Sequence, residues 1–208
     1  MRISPFGEGA LLLSFEQRID PAIVARAAAI ADAWEGAGLG GAVAAYASVI
    51  LRFDPLELPP ETAEARAAAF AHSHPVAAER RRASIEIPVR YDGPDLAETA
   101  ALSKMTPSDL IEAHVAPEYE AFFVGFMPGF AYCGPLDPRI VAPRLAVPRS
   151  RVAAGSVAVA DGQTAVYPLD SPGGWRLIGR TDVVLFDPAA DPPARIAAGD
   201  RVRFVRTA

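Results

Sequence analysis

From Tyr119 to Val205, glycine and proline interrupt the chain every few residues, and the runs between them are short and apolar. Proline fixes φ and carries no backbone donor, while glycine readily takes turn conformations. Helices of ordinary length do not fit such punctuation, so this half reads as short strands joined by turns. The strand runs are Tyr119 to Phe126, Gly155 to Ala160, Thr164 to Tyr167, Trp175 to Gly179, Val183 to Phe186 and Arg201 to Val205. Many short strands with little helix point to a closed or sandwich-like β architecture.

Upstream the pattern differs. Ala10 to Phe15 reads as a buried strand, and Asp20-Pro21 supplies an N-cap and first-turn proline. Ile23, Ile30 and Trp34, with alanines between, place an apolar stripe on the helix that follows, and Gly36 and Gly38 end it. Tyr46 to Phe53 reads as a strand stopped by Asp54-Pro55, and an alanine-rich helix runs from about Glu61 to Ala71. The polar stretch around Arg80-Arg81-Arg82 has no apolar period and marks a boundary. Residues 1–83 are therefore expected to form a small α+β domain, and residues 84–208 a mainly-β domain. The second domain opens with a strand, Ser84 to Tyr91, and a short helix near Pro94-Asp95. Thr106-Pro107 with Asp109 then gives a capped helix reaching about His114.

Composition narrows the class. Hydrophobic residues are 51% and charged residues 22% of 208, an ordinary globular balance. Residues 1–83 hold 8 Arg and 10 acids; the rest holds 12 Lys or Arg and 15 acids, so nucleic acid is not an expected partner. No apolar run reaches the roughly 20 residues that span a bilayer, and Met1 to Pro5 lacks the layout of a signal peptide. A single cysteine excludes an internal disulfide, and a cytoplasmic location is expected. Nineteen of the 20 basic residues are Arg, so an anion site here relies on guanidinium forks.

Chemistry concentrates in three loops. Gly125-Phe126-Met127-Pro128-Gly129-Phe130 allows a tight turn and close approach of backbone to a ligand. Pro143-Arg144 and Pro148-Arg149, with Arg151, suit an anion, although taken alone they read more simply as a solvated loop. Ser171-Pro172-Gly173-Gly174-Trp175 is an unusual turn whose two glycine amides are expected to form an anion-binding nest. Gln163 and Tyr167 close the preceding hairpin, and Gly179-Arg180-Thr181 follows. Trp175 reads as a pocket wall or, more simply, as a hairpin anchor.

Neither a phosphate loop nor a dinucleotide glycine motif is present, and no His, Cys or Asp set has metal-ligand spacing. His72 and His74, near a helix end, read as structural. Cys133 reads as a small buried thiol rather than a nucleophile. His114 ends a helix just before the Tyr119 strand. A cationic imidazole facing an anion and a plain helix-end cap are equally good readings of it.

The order of these pieces resembles the allophanate hydrolase subunit 1 family, which includes the B component of 5-oxoprolinase and an inhibitor of a sporulation histidine kinase. The resemblance rests on Glu118-Tyr119, Gly125-Phe126-x-Pro128-Gly129-Phe130, the two Pro-Arg pairs, Gly155-Ser156-Val157, Gln163-Thr164 and Tyr167-Pro168. It continues through Ser171-Pro-Gly-Gly-Trp175, Ile178 to Thr181, Leu185 to Pro188 and Gly199 to Phe204, with Tyr46-x-Ser48 and Phe53-Asp54-Pro55 upstream. Ala131, Cys133 and Pro135 depart from the residues expected there.

The resemblance implies a cyclophilin-like β-barrel behind a small α+β domain. It implies a direct partner, a homologue of the 5-oxoprolinase C component, and a further one, a homologue of the A component. It also implies ATP as co-substrate with Mg2+, spent in opening 5-oxo-L-proline to L-glutamate. Phosphorylating the lactam oxygen creates a leaving group, and the developing charge needs neutralising. Arg144, Arg149 and Arg180, with the amides of Gly129, Gly173 and Gly174, are the expected supply, and His114 is the expected catalytic residue. Gly125, Phe126, Pro128, Phe130, Gln163, Tyr167, Ser171 and Trp175 complete the expected small-molecule site. The same family supports two alternatives, a carboxyltransferase-type component of a urea carboxylase or allophanate system, and a non-enzymatic histidine-kinase inhibitor. Peptidyl-prolyl isomerase activity has fold analogy alone behind it.

Overall fold

The computed structural model describes residues 1–18, 20–73 and 84–207. The chain divides into two compact units, Met1–Arg80 and Arg81–Ala208. The boundary expected at residue 83, and His74, fall outside the described residues.

The first unit holds β1 (Arg2–Pro5), β2 (Ala10–Ser14), α1 (Pro21–Gly36), β3 (Ala42–Ala45), β4 (Ser48–Arg52) and α2 (Pro60–Ser73). The strands form one antiparallel sheet in the order β1-β2-β4-β3. Asp20 caps α1 by accepting the Ala22 N–H at 2.9 Å, with Pro21 in the first turn. Tyr46 lies in the turn between β3 and β4, not within one longer strand. Leu11, Leu13, Val49 and Leu51 from the sheet meet Ile30, Trp34, Ala63 and Ala67 from the helices. Burying each large side chain contributes about 1.5–3 kcal/mol. The Trp34 indole N–H is satisfied by the Arg52 carbonyl at 2.8 Å. His72 bonds the Ala68 carbonyl through Nδ1 at 2.6 Å, a local helix contact.

The second unit holds β5 (Ser84–Val89), α3 (Leu96–Leu102), α4 (Pro107–Val115), β6 (Tyr119–Val124), β7 (Ala131–Gly134), β8 (Arg149–Val152), β9 (Ser156–Ala160), β10 (Gln163–Val166), β11 (Ser171–Gly173), β12 (Arg176–Arg180) and β13 (Arg201–Arg206). Seven strands form one sheet in the order β12-β9-β10-β7-β6-β13-β5, antiparallel except where β13 runs parallel to β5. Its two ends meet at a bridge between Arg90, just past β5, and Arg180, the last residue of β12. The result is a nearly closed mixed-sheet barrel. β8 and β11 pair separately as a two-stranded sheet.

Side chains alternate across the barrel wall. Val157, Val159, Val166 and Ile178 turn into a core completed by Leu110, Tyr119, Val202 and Phe204. Ala158, Ala160, Ala165 and Leu177 turn the other way, beneath Phe130, Val152, Tyr167 and Trp175. Strands β9 and β10 are thus covered on both faces. Helix α4 carries the expected capping box: Thr106 Oγ1 accepts the Asp109 N–H, and the Asp109 carboxylate accepts the Thr106 N–H. The Thr106 hydroxyl also donates to that carboxylate at 2.7 Å, and this bond, then the one from the Thr106 N–H, holds the Asp109 carboxyl below its ordinary pKa.

Val183 to Phe186 is not a strand. Phe186 makes an isolated bridge with Ala194, and the Leu185 carbonyl accepts the Arg195 N–H at 2.9 Å. The facing segment contains Pro192-Pro193, which have no N–H with which to extend a ladder.

Candidate functional site

Six of the expected site residues gather on the outer wall of the barrel. Phe130 closes the loop between β6 and β7. Tyr167 follows β10, Arg149 begins β8, Gly173 ends β11, Trp175 precedes β12, and Arg144 lies in the loop before β8. Phe130 packs edge-on against Tyr132, Tyr167 and Trp175, with centroids 4.9, 5.2 and 5.7 Å away. Tyr132 stacks on Phe123 at 4.2 Å. The Arg144 guanidinium lies over the Trp175 ring, 5.9 Å from its centroid.

Tyr167 is the polar centre of this group. Its hydroxyl takes the Trp175 backbone N–H, and burial raises its pKa against the opposing pull of Arg144 and Arg149. A Cβ on Gly173 would collide with that hydroxyl, so glycine here lets β11 lie directly over the tyrosine. Gly173 pairs with Arg149 as a strand residue, and neither Gly173 nor Gly174 has positive φ. The expected amide nest at Gly173-Gly174 is therefore not formed, because strand pairing holds the first glycine extended. Ser171 pairs with Val152 on the same ladder, with its hydroxyl buried and unpartnered.

The Gly-Phe loop is tightly built. Gly129 has φ of 75°, and a Cβ there would sit 2.8 Å from Phe186 Cβ. Phe126, at φ of 71°, adopts the left-handed region with a bulky side chain, at a cost of about 1–2 kcal/mol. The residue is 64% exposed, and its ring edges against Phe130 at 5.4 Å. Gly125 closes the loop by donating to the Phe130 carbonyl at 3.0 Å, and Pro128 is exposed at the tip. Gln163 is buried at the start of β10, with its amide nitrogen unpartnered.

The arginines expected to be open forks already hold carboxylates. Arg144 Nε meets Asp161 at 2.8 Å, both side chains being half exposed. Arg180 Nη2 meets Asp92 at 2.6 Å, away at the barrel seam. Arg149 Nη2 meets Asp95 at 2.7 Å; Asp95 is 5% exposed and accepts the Leu177 N–H through its other oxygen. Asp95 was legible only as a helix start. It precedes α3 but makes no side-chain cap there, because both oxygens are engaged elsewhere.

His114 belongs to the barrel interior. It is fully buried and lies 4.6 Å from the Phe204 ring. Thr164 Oγ1 donates to the Ala158 carbonyl at 3.1 Å, so it accepts the His114 Nε2–H at 2.8 Å. Nδ1 then accepts the Tyr91 hydroxyl at 2.7 Å. Burial lowers the imidazole pKa from 6.5 to about 3. The expected cationic helix-end imidazole is thereby corrected to a neutral one, because the apolar core disfavours its charge. The same core pushes the Cys133 thiol up to about 12, far from a thiolate nucleophile.

The carboxyltransferase domain family, subdomain C and D, matches residues 1–196. The B subunit of 5-oxoprolinase from Bacillus subtilis is 36% identical over 99% of this chain and 92% of its own length. The chain belongs to the 5-oxoprolinase B-subunit family. A second family member, the corresponding B subunit from Escherichia coli O157:H7, is 51% identical over 58% of this chain and 57% of its own. The crystal structure of TTHA0988 matches with a TM-score of 0.83 at 37% identity, over 96% of this chain and 40% of that one. The family's barrel is thus also carried within a longer polypeptide.

Proposed function

We propose that this chain is the B component of an ATP-dependent 5-oxoprolinase that converts 5-oxo-L-proline to L-glutamate, acting with homologues of the A and C components. The near end-to-end match to a protein of that name carries the reading. The barrel is cyclophilin-like, the C homologue is its direct partner, and the assembly works in the cytoplasm. Among the described residues no helix is long and apolar enough to cross a membrane.

The geometry bears on how the work is shared. Each arginine expected to meet phosphate is already partly neutralised by a carboxylate, and that of Arg149 is buried. In our reading ATP and its Mg2+ are held mainly by another component of the assembly. The aromatic wall of Tyr132, Tyr167 and Trp175 with Arg144 then faces the organic substrate or the partner. His114, neutral and internal, orients Tyr91 and Thr164 rather than meeting a developing charge.

Reconstitution tests the assignment. The chain combined with its A and C homologues should form glutamate from 5-oxo-L-proline with matching ATP hydrolysis. Omission of this chain should abolish the coupled reaction. A complete, well-folded assembly that is inert toward 5-oxo-L-proline would overturn it. Activity instead on urea with a biotin carrier would establish the carboxyltransferase alternative.

A further inference from the structure

The two edges of the seven-stranded sheet meet at Arg90 and Arg180, which exchange both backbone hydrogen bonds, at 2.9 and 2.8 Å. Residues paired in this way project their side chains from the same face, and like charges directly opposite destabilise a ladder. Each guanidinium is met by a carboxylate two residues along the opposing segment. Arg90 Nη2 reaches both Asp182 oxygens at 3.2 and 3.3 Å, and Arg180 Nη2 reaches Asp92 at 2.6 Å. All four side chains are more than two-fifths exposed, and ion pairs this open to water add little net stability. Barrel closure needs only the backbone bonds. The crossed charges are an addition, held loosely enough to exchange with an incoming ion.

A cleft of about 460 Å³ opens beside them, within the range of small-molecule sites. Pro88 and Val183 give it an apolar wall, and Arg90, Arg180, Thr181, Asp182 and Thr207 give it polar groups. Thr181 Oγ1 accepts the Val183 N–H at 3.2 Å, leaving its own O–H to donate. Donors thus outnumber acceptors around a space that also holds one carboxylate.

We propose that this seam cleft binds a small carboxylic acid bearing an N–H group. The ligand carboxylate takes the place of an aspartate on the Arg90 and Arg180 forks, and its N–H donates to the freed Asp182. Two-pronged guanidiniums match a planar carboxylate better than a point charge does. The choice of 5-oxo-L-proline as first ligand rests on the functional reading above; the chemistry of the cleft does not.

Backbone-amide NMR of the isolated chain, titrated with 5-oxo-L-proline, tests the proposal. Saturable shifts are expected at Arg90, Arg180, Thr181, Asp182 and Thr207, with a dissociation constant on the order of 1 mM. Arg180→Lys keeps the charge and the backbone bridge but loses the fork, and should weaken binding about tenfold at unchanged melting temperature. Asp182→Asn should weaken 5-oxo-L-proline but not the corresponding lactone acid, which lacks the N–H. Shifts confined to the Trp175 region, an equal response to inorganic phosphate, or undiminished affinity in Arg180→Lys would each overturn the site. An active reconstituted enzyme with an unresponsive seam removes this proposal alone. A seam that binds 5-oxo-L-proline in a chain whose full assembly lacks 5-oxoprolinase activity removes the functional reading and keeps the site.

Discussion

Arg149 donates to Asp95 across 2.7 Å, and the same carboxylate takes the Leu177 N–H, so one buried group joins β8, the head of α3 and β12. Arg149 is therefore tied into the fold in a way that Arg144, paired with an exposed Asp161, is not. Asp95→Ala should cost about 3 kcal/mol of unfolding free energy and Arg149→Ala about 2, because each leaves buried polar groups unmatched. Arg144→Ala should cost less than about 1 kcal/mol. Urea denaturation of the three variants checks the order, and equal effects of the two arginine substitutions would refute it.

Acid should destabilise the fold through His114. Above pH 6.5 the imidazole is neutral whether folded or unfolded, and its contribution is complete. Between 6.5 and about 3 the unfolded chain takes up a proton that the folded core refuses, so stability falls with pH. The loss by pH 3 is on the order of 4 kcal/mol for this group. His114→Gln should flatten that part of the stability profile.

The same variant separates the roles open to His114. Glutamine cannot satisfy Tyr91 and Thr164 with imidazole geometry, so a loss of about 1–3 kcal/mol is expected. Activity of the reconstituted enzyme should then fall only as the folded fraction falls. A fully folded, C-bound assembly that turns over about 10²-fold more slowly would assign the catalytic role instead.

Gly173 and Tyr167 should be strongly coupled. Gly173→Ala places a methyl against the Tyr167 hydroxyl and should destabilise by roughly 2 kcal/mol. Tyr167→Phe removes the obstructing oxygen, so the double variant should regain part of that loss. Additive effects in the double-mutant cycle would show that the contact carries no strain.

Phe126→Gly should leave the chain as stable as before, or more stable by about 1 kcal/mol, because glycine takes φ of 71° freely. If the exposed ring serves the assembly, the same variant should weaken binding of the C homologue or lower activity. A variant unchanged in stability, assembly and turnover would leave Phe126 with no part in either.

Much of this architecture was written in local chemistry. Asp20-Pro21 and Thr106-Pro107 with Asp109 mark helix starts through short-range bonds, which a sequence displays directly. Strand β7 was hidden because Ala131 to Gly134 is short and nearly all buried, giving no alternation. Strands β8 and β11 were hidden because their residues look like a polar loop and a glycine turn. Val183 to Phe186 misled for the opposite reason: its side chains suit a strand, but its neighbour is a pair of prolines. The outer-wall gathering of Phe130, Tyr167, Trp175 and the two Pro-Arg arginines was legible as a density of motifs. The partners of those arginines were not, because Asp95 and Asp161 come together with them only through long-range folding.

The barrel seam has a consequence for misassembly. The backbone bonds between Arg90 and Arg180, with those from Gly93 to the Ile178 carbonyl and from Asp95 to the Leu177 carbonyl, stand between a closed sheet and one with two free edges, β5 and β12. A substitution that loosens this junction leaves both barrel cores in place while baring rows of unsatisfied N–H and C=O groups. Such a chain completes those rows by pairing edge to edge with another copy. Seam variants should therefore fail as soluble oligomers or aggregates of largely native chains, before they fail by unfolding.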